Sequence, residues 1–224
     1  MRREIKYLIT YSEYKRIKQI LEKCMKKDFH ANKEGIYIIR TMYFDNYLRE
    51  IQTDKINDIN AVHKYRIRIY DNDETNIFIE RKTNINDYIQ KIKERVQKKD
   101  VINIIEGKYS ELLDENSKLK TELYLNIILK QLRPIMLIEY NRMAFVEDNL
   151  NVRVTIDREI KSTTNINCFF KNVEGITKEK YILEIKYNEY LPEYIQNILI
   201  NLRKTREKSK FMNEINKHAN FGGI

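Results

Sequence analysis

The stretch HKYRIRIY, His63–Tyr70, decides how the rest of the chain is read. Arg66 and Arg68 alternate with Tyr65, Ile67 and Ile69. Successive side chains of a strand point to opposite faces, so as a strand this segment carries two guanidinium groups on one side and an apolar row on the other. One such strand is ordinary in an antiparallel sheet with a wet face. The weight lies in recurrence of the same alternation along the chain.

Outward from this strand, Asp71-Asn72-Asp73 is a turn signal. Asn76–Lys82 is expected to return as the hairpin partner, with Glu80 and Lys82 at one parity and Ile77, Ile79 and Arg81 at the other. After a second turn at Asn84–Asp87, Tyr88–Val96 sets Lys91, Lys93 and Arg95 on one face and Ile92 on the opposite one. Towards the N-terminus, Arg3–Ile9 reads as a strand with Glu4 and Lys6 opposite Ile5, Tyr7 and Ile9. Thr10 and Glu13 form a capping box for a helix over Ser12–Met25, where Tyr14, Ile17, Ile20, Leu21 and Cys24 recur at helical spacing. Ile36–Phe44 is an apolar strand, broken by Asp45-Asn46, with an irregular or helical segment to about Asn60.

Towards the C-terminus, Lys98–Leu132 reads as a helical insertion with Leu119, Leu123, Ile127, Leu129 and Leu132 on a broad apolar side, ended by Pro134. Met136–Phe145 is a strand with Tyr140 and Arg142 at one parity. Val152–Ile160 sets Arg153, Thr155 and Asp157 against Val152, Val154 and Ile156. Ile166–Val173 is a weaker strand or loop. Tyr181–Tyr187 sets Glu184 and Lys186 against Leu183, Ile185 and Tyr187, and Pro192 starts a final helix with a basic end at Arg203, Lys204, Arg206, Lys208 and Lys210.

The chain has 224 residues, 42% of them hydrophobic, which suits one large domain over residues 1–224 with a buried core. The net charge of +9, from 42 basic and 33 acidic residues, suits an anionic partner, although a solvated Lys- and Asn-rich surface gives the same balance. Five glycines and the absence of GxxxxGK[ST] and GxGxxG argue against a P-loop or Rossmann enzyme. Cys24 and Cys168 lack metal-ligand spacing and read as reduced thiols of a cytoplasmic protein. No apolar run is long enough to span a bilayer, and the start of the chain lacks a signal-peptide pattern. His30, His63 and His218 are isolated and carry no assigned chemistry.

Two architectures use the charged face. In a sandwich, the charges meet solvent and the apolar faces pack together. In a closed barrel, the charges line the interior and helices cover the outside. Cations confined in the second arrangement repel one another and require a polyanion, with carboxylates and a divalent metal completing the balance. Arginine suits phosphate through its bidentate fork, and lysine adds compact charge.

In order along the chain, REIKYL (Arg3–Leu8), YFDN (Tyr43–Asn46), KYRIRIY (Lys64–Tyr70), IERK (Ile79–Lys82), KIKER (Lys91–Arg95), YNRMAF (Tyr140–Phe145), VRVTIDREI (Val152–Ile160) and LEIKY (Leu183–Tyr187) together resemble the vacuolar transporter chaperone (VTC) domain. That domain is the polyphosphate polymerase branch of the CYTH-like triphosphate tunnel metalloenzymes. The resemblance implies an α+β fold: a closed antiparallel eight-stranded β-barrel with a charged interior, a helical insertion near residues 98–132 and C-terminal helices near 192–219. It implies transfer of the γ-phosphate of ATP to inorganic polyphosphate with Mn²⁺ or Mg²⁺. Separately, no RRM, helix-turn-helix or zinc module is seen and the basic end reads as a solvated face, so no nucleic-acid partner is expected. A triphosphate or tripolyphosphate hydrolase, or a binding module without turnover, are the alternatives within the superfamily.

Carried over by motif, Lys6, Arg66, Arg68, Lys82, Arg142, Arg153 and Glu184 are the expected catalytic set. Lys91, Lys93, Arg95, Lys186, Ser209 and Lys210 extend the substrate lining, and Glu184 with Glu4 are the expected metal ligands. Glu207 departs from the basic residue usual two positions before the Ser of the family's terminal segment. Asp157 is expected to orient Arg153 or Arg142. Neither an SPX domain nor membrane segments are seen, so the resemblance implies a stand-alone module, which leaves room for a membrane-protein partner.

Overall fold

A computed structural model describes residues 3–29, 31–50, 62–85 and 88–202. The strands are β1 (Arg3–Ile9), β2 (Lys26–Lys27), β3 (Ile36–Asp45), β4 (Val62–Tyr70), β5 (Ile77–Ile85), β6 (Tyr88–Val96), β7 (Arg133–Glu147), β8 (Val152–Thr163), β9 (Ile176–Lys178) and β10 (Tyr181–Tyr187). The described helices are α1 (Tyr11–Cys24), α2 (Lys98–Ile105), α3 (Lys118–Leu129) and α4 (Glu193–Ile200). The fold is α+β. Its hydrogen-bonded strand path runs β1-β10-β8-β7-β3-β4-β5-β6, with β2 on β7 and β9 on β8. The eight strands of the path are those expected from the sequence. Among the described residues no pairing joins β1 and β6, the ends of the path, so the expected closed barrel is not confirmed.

The chain forms two compact units. The first comprises Met1–Ile38, Tyr140–Lys161 and Thr177–Lys210, among which the described residues include β1, β2, β8, β10, α1 and α4. β1 pairs antiparallel with β10, and β10 with β8. The apolar parity of these strands, Val154, Ile156, Leu183 and Ile185, packs with Ile17 and Leu21 of α1 and Ile195 and Ile198 of α4. Helix α1 begins where its sequence dictates: the Thr10 hydroxyl accepts the amide of Glu13, and the Glu13 carboxylate accepts the amide of Thr10. Such a cap contributes about 1 kcal/mol.

The second unit comprises Ile39–Glu139, Ser162–Ile176 and Phe211–Ile224, of which 51–61, 86–87 and 211–224 lie outside the described residues. β3, β4, β5 and β6 form an antiparallel meander. Met42, Phe44, Ile67, Ile69, Ile77 and Ile79 pack with Val101 and Ile104 of α2, Leu119, Leu123 and Ile127 of α3, and Phe169. In each unit the apolar parity is covered by helices and the opposite parity holds most of the charge; Arg40 and Arg81 are on the covered parity, paired with Glu139 and Glu122. Several of those charges are themselves buried, including Arg68, Glu80, Arg142, Asp157 and Glu184. A sandwich with its charges open to water does not describe them.

Some boundaries differ from the reading of the sequence. The expected Lys98–Leu132 insertion is α2, a 3₁₀ turn at Tyr109–Leu112, and α3. Pro134 does not end α3; it is the second residue of β7. The reversal comes earlier, where Gln131 adopts φ 54° after the last helical residues. Ile166–Val173 is a 3₁₀ turn over Ile166–Cys168 and a loop that buries Phe169, not a strand. The segment expected to be helical to about Asn60 and most of the basic terminus lie outside the described residues. No described helix is long and apolar enough to cross a membrane.

Candidate functional site

In the second unit, cross-strand register assembles a cluster around one carboxylate. Arg66 lies opposite Glu80, and Glu80 lies opposite Lys93. Glu80 is fully buried. Arg66 Nε donates to its Oε2 at 2.6 Å, Lys91 Nζ sits 2.6 Å from Oε1, and Arg68 lies 3.6 Å from Oε2. Arg68 Nε also donates to Thr41 Oγ1 at 3.2 Å.

A buried carboxylate without partners would take up a proton rather than stay charged. Burial does push the Glu80 carboxyl upward, but Arg68, Arg66 and Lys91 together outweigh it and hold the group well below the usual carboxylate range. Lys91 shows the reciprocal balance. Burial of its ammonium lowers its pKa to about 8, with Arg68 and Arg66 adding to the effect and Glu80 opposing it. Much of the Lys91 chain is exposed while its ammonium turns in over Glu80. On the same face Lys93 and Arg95 lie over the Phe78 ring, at 4.6 and 5.7 Å from its centre. Lys82, paired in register with Lys64 and Lys91, is half-buried.

In the first unit, Lys6 lies opposite Glu184 and Glu4 opposite Lys186 on neighbouring strands. The four side chains interlock. Lys6 bridges Glu4 and Glu184, the latter at 3.6 Å, and Lys186 bridges Glu184 at 2.5 Å and Glu4 at 3.9 Å. Burial lowers the Lys186 pKa despite both carboxylates. On β8 and β7, Arg142 grips Asp157 with two hydrogen bonds, Nε to Oδ1 at 2.6 Å and the terminal nitrogen to Oδ2 at 2.8 Å. Arg153 reaches Asp28 at 2.6 Å and donates to the Tyr37 hydroxyl at 2.9 Å. Burial raises the Tyr37 pKa against the pull of Arg142 and Arg153, so the phenol keeps its proton. The Thr155 hydroxyl, beside Glu184 in register, is buried with no hydrogen-bond partner among the described residues.

A family model described as VTC domain matches residues 1–218. The chain belongs to the VTC domain family. Among solved structures, this VTC domain is similar to a Bacillus halodurans protein named, provisionally, as an adenylate cyclase: TM-score 0.60, 15% identity, 94% of this chain and 95% of that one covered. It is also similar to two Pyrococcus horikoshii proteins, each 14% identical, with TM-scores of 0.53 and 0.51. The first match covers 97% of this chain and 99% of the other, and the second 95% and 98%. At these identities the likeness is one of fold. A comparison with curated proteins found no match.

Within the VTC domain, of the residues expected from the motifs, Arg66, Arg68 and Lys91 meet at Glu80 with Lys82, Lys93 and Arg95 on the same face. Lys6, Glu4, Glu184 and Lys186 interlock, Arg142 and Arg153 each hold another carboxylate, and Ser209 and Lys210 lie outside the described residues. Asp157 orients Arg142, and the partner of Arg153 is Asp28. Sequence reasoning missed Asp28 and Tyr37: a lone Asp at the head of a polar loop and a Tyr in an apolar strand carry no signal of this role. Glu80 was visible as an anion at the right parity, but not as the common partner of Arg66, Arg68 and Lys91.

The carboxylates Glu4 and Glu184 suit a shared divalent cation in chemistry. Mg²⁺ is commonly bound through one or two carboxylates with the remaining ligands drawn from water and substrate phosphates. Among the described residues no group of three or more His, Cys, Asp or Glu could supply a complete protein cage. Both carboxylates are engaged by Lys6 and Lys186, so a cation here would share them with those ammonium groups and draw its other ligands from water or substrate.

Proposed function

We propose that this VTC domain is a polyphosphate polymerase, which transfers the γ-phosphate of ATP to the end of an inorganic polyphosphate chain. The observation that carries this reading is the carboxylate-centred packing of Arg66, Arg68 and Lys91 on Glu80 in a chain that belongs to the VTC family. Cations held so close together by a single carboxylate have surplus charge for an incoming polyanion. The closed, charge-lined tunnel implied by the sequence resemblance belongs to this proposal.

In the proposed mechanism, Arg66, Arg68, Lys82 and Lys91 bind phosphate oxygens on the second unit, with Lys93 and Arg95 extending that lining. On the first unit Lys6, Arg142, Arg153 and Lys186 serve the same purpose, and Ser209 and Lys210 are assigned to it by motif alone. The terminal oxygen of a phosphate chain attacks the γ-phosphorus as the bond to ADP breaks. Phosphoryl transfer asks chiefly for positioning and for charge stabilisation on the equatorial oxygens. Preset guanidinium groups supply both, because their carboxylate struts fix them before substrate arrives. Mn²⁺ or Mg²⁺, held by Glu184 with Glu4, would neutralise phosphate charge when bound.

Pure protein incubated with ATP and Mn²⁺, followed by gel separation and polyphosphate staining, tests the reading. Long chains are expected. Orthophosphate alone would make the protein a hydrolase, and tight binding without product would make it a binding module. Arg66→Ala is expected to lower the rate by roughly 10²-fold, the scale of losing one preorganised transition-state donor.

A further inference from the structure

The second unit contains a cavity of about 470 Å³ that the phosphate clusters do not use. It is lined by Asp45, Asn46, Tyr47, Arg49, Gln131, Arg133, Ile135, Met136 and Thr164, and those positions decide what it can hold. We propose that it receives the nucleoside of a nucleoside triphosphate, which rests on the phosphate-handling reading above.

Three features support this. First, the cavity lies at the C-terminal end of β3, and Asp45 in its lining shares the parity of the cationic cluster. Thr41 is paired in register with Arg68 and Tyr43 with Arg66. Asp45, two positions further at the same parity, lines the cavity. Two residues of strand advance roughly 7 Å, so the cavity starts about one phosphate-to-ribose step beyond Arg66. Second, its size falls in the range of roughly 300–1,000 Å³ of small-ligand pockets, and its lining combines apolar Ile135 and Met136 with convergent polar groups. Third, Tyr47 is 94% exposed although the chain on either side of it is tied down. Asn46 accepts the Glu50 amide and donates to its carboxylate, and the Asn46 amide bonds Asp45. An aromatic ring held at the rim by such a turn is a stacking surface for a planar base. Gln131 and Thr164 offer donors and acceptors to the edge of that base. Arg133 is itself set by donating to the carbonyls of Ile127 and Leu132.

A free polyphosphate chain has no use for such a cavity. The structure thus assigns separate recognition to the two substrates: phosphate to the cations, and base to the cavity beside them.

Calorimetry with ATP and with inorganic tripolyphosphate tests this. Tyr47→Ala is expected to weaken ATP binding about tenfold, from loss of one base–aromatic stack, and to leave tripolyphosphate binding unchanged. Thr164→Tyr, which fills the cavity from an exposed position, is expected to act in the same way. Far-UV circular dichroism and thermal melts check that both variants remain folded. Equal weakening of both ligands, or ATP binding untouched by both substitutions, overturns the inference while leaving the phosphate clusters standing. Wild-type protein that binds neither ligand overturns the phosphate reading and this inference together.

Discussion

Arg142 and Asp157 form a two-pronged, buried ion pair, with hydrogen bonds of 2.6 and 2.8 Å between neighbouring strands. Burial alone would weaken the hold of Arg142 on its proton, but Asp157 more than reverses this and raises the pKa. The pair is a fixed point: neither partner has water to fall back on. Asp157→Asn keeps the shape and removes the charge, leaving a buried guanidinium without its counter-ion. Unfolding in urea is expected to show a loss of about 3 kcal/mol, the scale of breaking a buried pair from one side. Lys98→Ala removes the exposed contact with Glu74 at 2.7 Å and is expected to cost under about 1 kcal/mol. Similar losses in the two variants would contradict the assignment of Arg142 and Asp157 as a buried strut.

Glu80 has a different role, because its partners are the residues proposed to hold phosphate. Glu80→Gln leaves Arg66, Arg68 and Lys91 in mutual repulsion, and the ligand-free protein is expected to lose about 3 kcal/mol. An inorganic phosphate chain can take over as counter-anion. Added tripolyphosphate should therefore raise the melting temperature of Glu80→Gln more than that of the wild type. Equal shifts would mean that the cations on Glu80 do not meet the ligand.

How much of this was legible in the sequence follows from the range of each interaction. Alternation along His63–Tyr70 or Tyr181–Tyr187 is local, so strand, parity and the apolar face were readable from neighbouring residues. The Thr10–Glu13 cap is equally local, and it sits where the sequence put it. Which cation meets which carboxylate is not local. Glu184 finds Lys6 because β10 pairs with β1, and Lys91 finds Glu80 rather than a residue of its own strand because of one register. Asp28 and Arg153 are far apart in the chain and share no pattern. Pro134 misled for a simpler reason: its fixed φ is as compatible with the start of a strand as with the end of a helix.

Lys91 gives the pH dependence. Its pKa of about 8 means that the folded protein carries this charge below pH 8 and loses it above. Affinity for tripolyphosphate should therefore fall as pH rises from 7 to 9, by more than the ligand's own titration predicts. Lys91→Gln should remove this excess and bind more weakly at pH 7. For stability the sign is opposite. An unfolded lysine holds its proton up to about pH 10.4, so the folded protein gains stability from this residue as pH rises from about 8 to 10. A binding curve with the same pH slope in wild type and Lys91→Gln would exclude Lys91 from the phosphate lining.

Glu184 tests the proposed metal site. Its oxygens are shared by Lys6 at 3.6 Å and Lys186 at 2.5 Å, and Glu4 lies within reach of both lysines. In the proposed function, an incoming phosphate chain competes for those ammonium groups and frees the carboxylates to meet a cation, so metal and phosphate should bind with positive coupling. By linkage, each must then tighten the other by the same factor. Titrations of tripolyphosphate with and without Mn²⁺ are expected to show a several-fold tightening in the wild type, reversed by a chelator. In Glu184→Gln the tightening should shrink towards the contribution of the metal–phosphate complex alone, while metal-free binding is retained or strengthened by the loss of a negative charge. If Mn²⁺ tightened binding equally in both proteins, the cation would have to be held by other residues, and Glu184 would be left as a strut for Lys186.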